Sequence, residues 1–501
     1  MKERLFLHDR AEWYSGLGNL RRDVLAGMVG TFALIPEVIA FSFVAGVDPE
    51  VGLFATFVIS VVIAFAGGRP AMISGAAGSV ALVAAALVAS HGLQYLLAAT
   101  VLAGLIQIVF GLLRLDVLMR FVSKSVRTGF VNALAVLIFS AQLPHMLGVA
   151  WQTWALIAAG LAIIYLVPRL TTAIPSPLIC ILALTALTMA VPMPVATVAD
   201  LGRLPDSLPA FLIPEVPFSL ETLAIVAPYA LAMAMVGLLE SMMTASVVDD
   251  LTETNSSKAR ECAGLGLANL AAGFTGGIAG CGMIGQTVGN LRFGGWGRVS
   301  TLTAGVFLLV LMVLLRPWVS QVPVAALVAI MIMVSVETFS WASLRDLARH
   351  PKVSSVVMLA TVAVTVLTHN LAAGVAVGVM LSGVFFAFKV MRLMDVRDEY
   401  DAATGTRTYR VSGQVFFASA EILADAFDLR DEAPNIRIDL TAAHLWDVTA
   451  VAALEAAVGK LRRRGKRVEV VGLNAASALL VDRHGPAIQA GMGAGMGAGA
   501  G

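Results

Sequence analysis

The chain has 501 residues, of which 58% are hydrophobic and 13% charged, with a mean hydropathy of +0.86 and a formal net charge of +1. That balance excludes an ordinary soluble protein and points to a polytopic membrane protein, with no nucleic-acid partner expected. The three cysteines, Cys180, Cys262 and Cys281, are scattered without metal-ligand spacing, so no disulfide framework, metal site or other cofactor is predicted.

Residues 1–22 lack the apolar core and small-residue cleavage site of a secretory signal, so the first span is expected to stay in the protein and this segment to be cytoplasmic. From 23 to 392, apolar runs follow one another with short breaks, among them 51–66, 95–113, 154–167, 302–315 and 353–367. Most approach the roughly 20 residues that a bilayer-crossing helix needs, and about fourteen can be counted. With fourteen spans and an inner amino terminus, the Lys and Arg residues near the span ends fall inside, except Arg203 and Arg316. This asymmetry predicts a multi-pass plasma-membrane protein of the bacterial inner-membrane type, with both termini cytoplasmic.

Within the transmembrane region, Glu37 in FALIPEVIAF and Glu240 in VGLLESMMTA lie deep in apolar runs. A charge at mid-bilayer costs at least about 2.5–3.5 kcal/mol, so such a carboxyl group usually faces a cavity or a partner. Each is followed by a glycine-rich break: 38 residues separate Glu37 from Gly75 in SGAAGSVALV, and 40 separate Glu240 from Gly280 in AGCGMIGQTV. Two Gly-interrupted segments at equivalent places point to a secondary transporter with its binding site between the repeats. Seven spans per half would make the repeat inverted. Gly75, Gly78 and Ser79, with Ala76 beside them, are expected to open one half-helix; Gly280, Gly282 and Met283, with Cys281, are expected to open the other. The unpaired N–H groups of two such ends attract an anion, and glycine lets it come close. The alternative is that these glycines serve close helix packing alone. No G-x-x-x-x-G-K-[ST] loop occurs, so ATP is not indicated as the energy source.

After residue 392 the composition turns polar. Residues 393–408 read as a linker and 409–485 as a small α/β domain, with strands near 409–417, 435–440 and 466–473 and helices near 419–429 and 448–464. The Gly-rich tail 486–501 is expected to be disordered.

The stretch DVLAGMVGTFALIPEVIAFSFVAGVDPEVGLFAT resembles the first-span signature of the sulfate permease (SulP) family, anion transporters whose animal members include prestin and pendrin. LLESMMTASVVDDLTETNSSKARECAGLGLANLAAGFTGGIAGCGMIGQTVGN resembles that family's eighth-to-tenth-span signature, and IDLTAAHLWDVTAVAALE resembles the centre of its carboxyl-terminal STAS domain. The resemblance implies seven plus seven inverted spans, a core domain holding substrate between half-helices 3 and 10, and a gate domain beside it. It also implies a small anion as substrate, sulfate, bicarbonate or a dicarboxylate, and suggests a homodimer.

Two positions depart from the family pattern: Glu37 stands where Gln usually follows the first-span Pro, and Gln286 stands where many members carry Arg. An ionised Glu37 repels an anion, and desolvation disfavours the charged form of a carboxyl group. Proton-coupled symport is therefore expected, with Glu37 and Glu240 as proton-coupling residues and sodium as the alternative coupling ion. Gln286 and Thr287 are expected to line the site, with helix packing as the alternative, and Arg292 to lie at the cytoplasmic surface. In free relatives of the STAS domain a hydroxyl near the Asp matching Asp447 is phosphorylated. Here Val448 replaces one candidate, and Thr449 remains as a weak regulatory one.

The competing readings are a neutral-solute or nucleobase carrier on the same fold, and a membrane sensor signalling through the STAS domain. An enzyme is not expected, because no H-E-x-x-H, nucleophile elbow or acid–base pair on a soluble face occurs.

Overall fold

Backbone in lipid must satisfy its own hydrogen bonds, which is why the apolar runs become helices. The computed structural model describes residues 10–13, 17–170, 175–191, 193–200, 202, 204, 208–347, 349 and 352–489. Most of the expected N-terminal segment, Arg203 and the tail from 490 lie outside the described residues. The chain divides into two compact units, 1–379 and 380–501.

The first unit holds α1 (Leu17–Ala45), α2 (Pro49–Ala66), β1 (Ser74–Ala76), α3 (Gly78–His91), α4 (Leu93–Leu112), α5 (Lys124–Ser140), α6 (Trp151–Leu166) and α7 (Ser176–Ala190). It continues with α8 (Leu220–Thr252), α9 (Lys258–Gly273), β2 (Gly280–Gly282), α10 (Ile284–Arg292), α11 (Arg298–Val319), α12 (Val324–Thr338) and α13 (Lys352–Thr368). Helix α14 (Leu371–Met391) runs across the division. Among the described residues, eight helices are long and apolar enough to cross a membrane, or nine if the bent α1 counts as one span. Helices α3, α7 and α13 are shorter apolar ones.

The helices sort into two groups by packing. In one, α1 packs on α11 and α8 on α4, while α9 packs on both α2 and α4. In the other, α12 packs on α5 and α6, and α13 on α5; α1 touches α12 where the groups meet. Helix α9 is short and only weakly apolar, and small residues hold it in place. A Cβ at Gly104 of α4 would lie 2.7 Å from the Gly266 carbonyl, and one at Gly266 would lie 2.6 Å from the Gly104 carbonyl. Backbones this close gain dispersion contacts that larger side chains would prevent.

A cluster of charges ties the helix ends of the first group together. Arg298, 1% exposed, donates to the Ala64 and Gly67 carbonyls at 3.1 and 2.9 Å and pairs with Glu12 at 2.6 Å. These are end carbonyls of α2, which have no partner within their own helix. Glu261 accepts from the backbone N–H groups of Gly68 and Arg69 at 2.6 and 3.0 Å. Arg69 reaches Asp249 at 3.1 Å.

The second unit carries a four-stranded sheet in the order β3 (Asp395–Asp401), β4 (Thr406–Val415), β5 (Asn435–Leu445), β6 (Arg467–Val471), with the first pair antiparallel and the other two parallel. Helices α15 (Ala420–Asp425) and α16 (Val448–Arg463) join the strands, α17 (Ala475–His484) follows the last of them, and the unit has an apolar core around Val415, Leu440 and Leu454. The stretch read as a linker forms β3 and its hairpin turn. Nearly every residue of β3 is exposed, so this charged edge strand lacks the alternating pattern that marks a half-buried strand. The ordered fold also passes the expected end of the domain, since Ile488 is fully buried in the core.

Candidate functional site

The two glycine-rich breaks meet. Strands β1 and β2 pair antiparallel, with Ser74 opposite Gly282, Gly75 opposite Cys281 and Ala76 opposite Gly280. All six residues are buried. Extended backbone at this depth needs partners beyond the ladder, and side chains of the surrounding helices supply them. Thr56 Oγ1 accepts from the Ala76 N–H at 3.1 Å, and Ser60 Oγ donates to the Ser74 carbonyl at 2.7 Å. Ser241 Oγ accepts from the Gly282 N–H at 2.8 Å, and Thr244 donates to its carbonyl at 3.0 Å. Asn269 serves Gly280 twice, accepting from its N–H at 2.8 Å and donating to its carbonyl at 3.1 Å.

The glycines of the ribbon are there for space. A Cβ on Gly280 would lie 2.1 Å from the Gly75 carbonyl oxygen, and one on Gly75 would lie 2.6 Å from Thr56 Cγ2. The helices therefore begin later than the sequence suggests: α3 at Gly78 behind Ala77, and α10 at Ile284 behind Met283. Gly75, Ala76, Gly280, Cys281 and Gly282 form the ribbon behind the two helix starts. The first-turn N–H groups of each helix lack intrahelical acceptors and carry the positive end of the helix dipole.

These starts border a cavity of about 370 Å³. From the first helix group it is lined by Glu37 and Phe41 of α1, Ala77 and Gly78, Glu240 and Met243 of α8, and the segment from Met283 to Gln286. Opposite stand Phe130, Val131, Leu134 and Ile138 of α5, with Val334, Glu337 and Thr338 of α12. Of the residues expected at the site, Glu37, Gly78, Glu240, Met283 and Gln286 reach this wall. Ser79 and Cys281 sit behind it and hold Glu240: the Ser79 hydroxyl donates to the Glu240 carboxylate, and the Cys281 thiol donates to the same oxygen at 3.1 Å. Thr287 turns away and accepts from the Ile73 N–H at 3.0 Å, which joins α10 to the chain entering β1. Gln286 donates its side-chain amide to Glu37 Oε2. Both residues are buried, Glu37 9% and Gln286 8% exposed. Among the described residues, the lining contains no Lys, Arg or His.

Sequence reasoning missed the apolar wall of α5, the ring of Phe41 and, above all, Glu337. An acidic residue inside MIMVSVETF gave a signal like that of Glu240, yet it lies near the end of its apolar run, where a charge reads as solvated. Asn269, which anchors Gly280, gave no signal at all. In the second unit, Asp447 caps α16 by accepting from the Ala450 N–H at 2.9 Å and also accepts from the Phe417 N–H at 2.8 Å; Thr449 is exposed on the first turn of that helix.

Comparison with known proteins agrees with this geometry. The model of the sulfate permease family matches residues 20–361, and that of the STAS domain matches 399–486. A putative sulfate transporter of Bacillus subtilis, YbaR, is 50% identical over 472 residues, covering 94% of this chain and 98% of its own. The bicarbonate transporter BicA of Synechocystis is 26% identical, with 91% of this chain and 88% of its own covered. Among solved structures, the murine anion transporter Slc26a9 in its inward-facing state superposes with a TM-score of 0.83 at 17% identity, covering 94% of this chain and 89% of that one; it shows the shared fold. A membrane-embedded bundle with two broken segments meeting at its centre, followed by a STAS domain, thus belongs to the sulfate permease family of anion transporters.

Proposed function

We propose that this protein is a secondary active carrier of a small anion, of the sulfate, bicarbonate or dicarboxylate class, that moves its substrate together with a proton by alternating access. The observation that carries the reading is the Gln286 to Glu37 hydrogen bond beside the start of α10, in a cavity that two helix starts face and that no cationic side chain among the described residues lines. The electropositive helix starts suit an anion. A charged Glu37 in the same space opposes it, and a proton on Glu37 removes that opposition. The anion and the proton then each favour the other's binding, which is the thermodynamic requirement for symport.

Two features support alternating access. The site lies at the boundary of two helix groups, and packing repeats across the halves, with α1 on α11 and α8 on α4, in keeping with two inverted sets of seven spans. Sliding of the α5 and α12 wall past the site would expose it to either face in turn. Cytoplasmic termini follow from the distribution of cations, and a plasma-membrane location from the family.

The test is uptake into proteoliposomes of labelled sulfate, bicarbonate, succinate and uracil, with proton and sodium gradients imposed independently. Accumulation of an anion driven by an inward proton gradient supports the reading. Drive by sodium alone overturns the proton assignment. Accumulation of uracil alone supports the second reading, a neutral-solute carrier, which the absence of Lys, Arg and His from the lining favours.

A further inference from the structure

The cavity holds three carboxyl groups, and they differ in depth and in the helix group that carries them. Glu37 is buried on α1 and Glu240 is half-buried on α8, both in the first group. Glu337 is exposed, near the C-terminal end of α12 in the second group. Among the described residues on its side of the cavity it is the lone titratable one, since α5 contributes only apolar side chains and α12 adds Val334 and Thr338.

The titratable groups around Glu337 come from four helices. Glu37 on α1 faces it across the cavity, and the two carboxyl groups interact electrostatically. Arg292, exposed at the end of α10, interacts with it from the side. Tyr165 of α6 interacts with it from within its own helix group. Glu240 completes the set as the third carboxyl group on the shared wall.

We infer that Glu337 is the proton-exchange residue of the carrier, taking a proton from water at the open end of the cavity and passing it to Glu37, and returning it by the reverse path. This rests on the proton coupling proposed above. In the inward transfer the Glu337 carboxylate takes a proton from hydronium, leaving water. The resulting carboxyl group then gives that proton to the Glu37 carboxylate through water in the cavity, and Glu337 is ionised again. A space of about 370 Å³ accommodates such a chain, holding on the order of ten waters at ~30 Å³ each. Glu37 itself is poorly placed to exchange with bulk water, being buried and held by the Gln286 amide. An exposed carboxyl group on the cavity wall, within the electrostatic influence of Arg292, is better placed for that step.

The location on α12 gives the relay a direction. When the first helix group slides past the second, Glu37 leaves Glu337 behind, and the proton on Glu37 loses its route back. A relay residue on the same helix group as Glu37 would travel with it and provide no such valve.

The experiment uses the full-length protein in proteoliposomes, with whichever of sulfate, bicarbonate, succinate or uracil the wild type accumulates. Net uptake driven by a pH gradient is measured beside counterflow, in which loaded carriers exchange without releasing the proton. Glu337→Gln is expected to keep counterflow within about twofold while net uptake falls on the order of tenfold or more and its pH profile flattens. Glu337→Asp is expected to restore much of the net uptake. Retained counterflow also shows that the variant is folded. Loss of counterflow together with net uptake overturns the inference, because Glu337 is then needed for the carrier cycle as a whole. Gradient-driven uptake by Glu337→Gln equal to wild type, with the same pH profile, overturns it and leaves the proposed function standing. Indifference of the wild type to the pH gradient removes the proton coupling proposed above, and the relay with it.

Discussion

Gln286, on the first turn of α10, donates its side-chain amide to the carboxylate of Glu37 in the middle of α1, joining two helices 249 positions apart in the chain. This donor is an uncharged amide. Replacing it by arginine would place a permanent cation against Glu37 and favour the ionised carboxylate. Gln286→Arg is therefore expected to abolish the proton dependence of uptake while retaining anion binding, because the new cation offsets the charge of Glu37. Initial uptake rates with and without a pH gradient check this.

The ribbon of β1 and β2 leaves no room for a methyl group at its centre. Gly280→Ala would press a Cβ against the Gly75 carbonyl, which belongs to backbone and cannot swing aside. The expected destabilisation is about 1–3 kcal/mol, the usual range for overpacking. Transport should fall further, since the two helix starts would be pushed apart. Thermal unfolding in detergent, run beside counterflow, separates the two effects.

Arg298→Met removes a buried cation, leaves the Ala64 carbonyl without its donor and leaves the Gly67 carbonyl with Arg260 alone. Breaking one side of a buried charge cluster typically costs about 3–5 kcal/mol. Exposure of Glu12, 30% at the side chain, lowers the expectation towards the small end of that range. The melting temperature of the purified variant should drop, with no shift in the coupling ion.

In the STAS unit, the Asp439 carboxyl group is held below its usual range, first by the Thr441 hydroxyl, which outweighs the opposing effect of burial, and then by the Thr441 N–H. A folded-state value below the unfolded one stabilises the unit above the unfolded pKa of about 3.9, and that contribution is lost as the pH falls through the folded value. Thr441→Val should lower the protection of β5 amides in hydrogen exchange at neutral pH. The effect should be small, under about 1 kcal/mol because the group is partly solvated, and it should disappear in strong acid.

Much of the site was legible because charges and glycines stand out in apolar sequence. Glu37, Glu240 and Gln286 announced themselves by polarity, and all three line the cavity. The glycine clusters were legible as breaks, but their pairing was not. Two three-residue strands some 200 positions apart have no local pattern, and the side chains that complete their hydrogen bonds, Thr56, Ser60, Ser241 and Asn269, look like ordinary small polar residues of membrane helices. The mistaken linker has a parallel cause: β3 is an edge strand whose exposed, charged residues hide the period of two. Glu337 escaped notice because its role depends on which helix stands opposite, a property of the bundle and not of the segment.

The ladder between Ser74–Ala76 and Gly280–Gly282 means that the two helix starts facing the cavity are stitched to each other. Under the alternating access proposed above, they travel as one jaw, and the pocket floor keeps its shape. Any preference for loading from one face of the membrane over the other must then originate in the opposing wall of Phe130, Leu134 and Glu337. Directionality in this carrier is a property to be engineered there, leaving the cradle untouched.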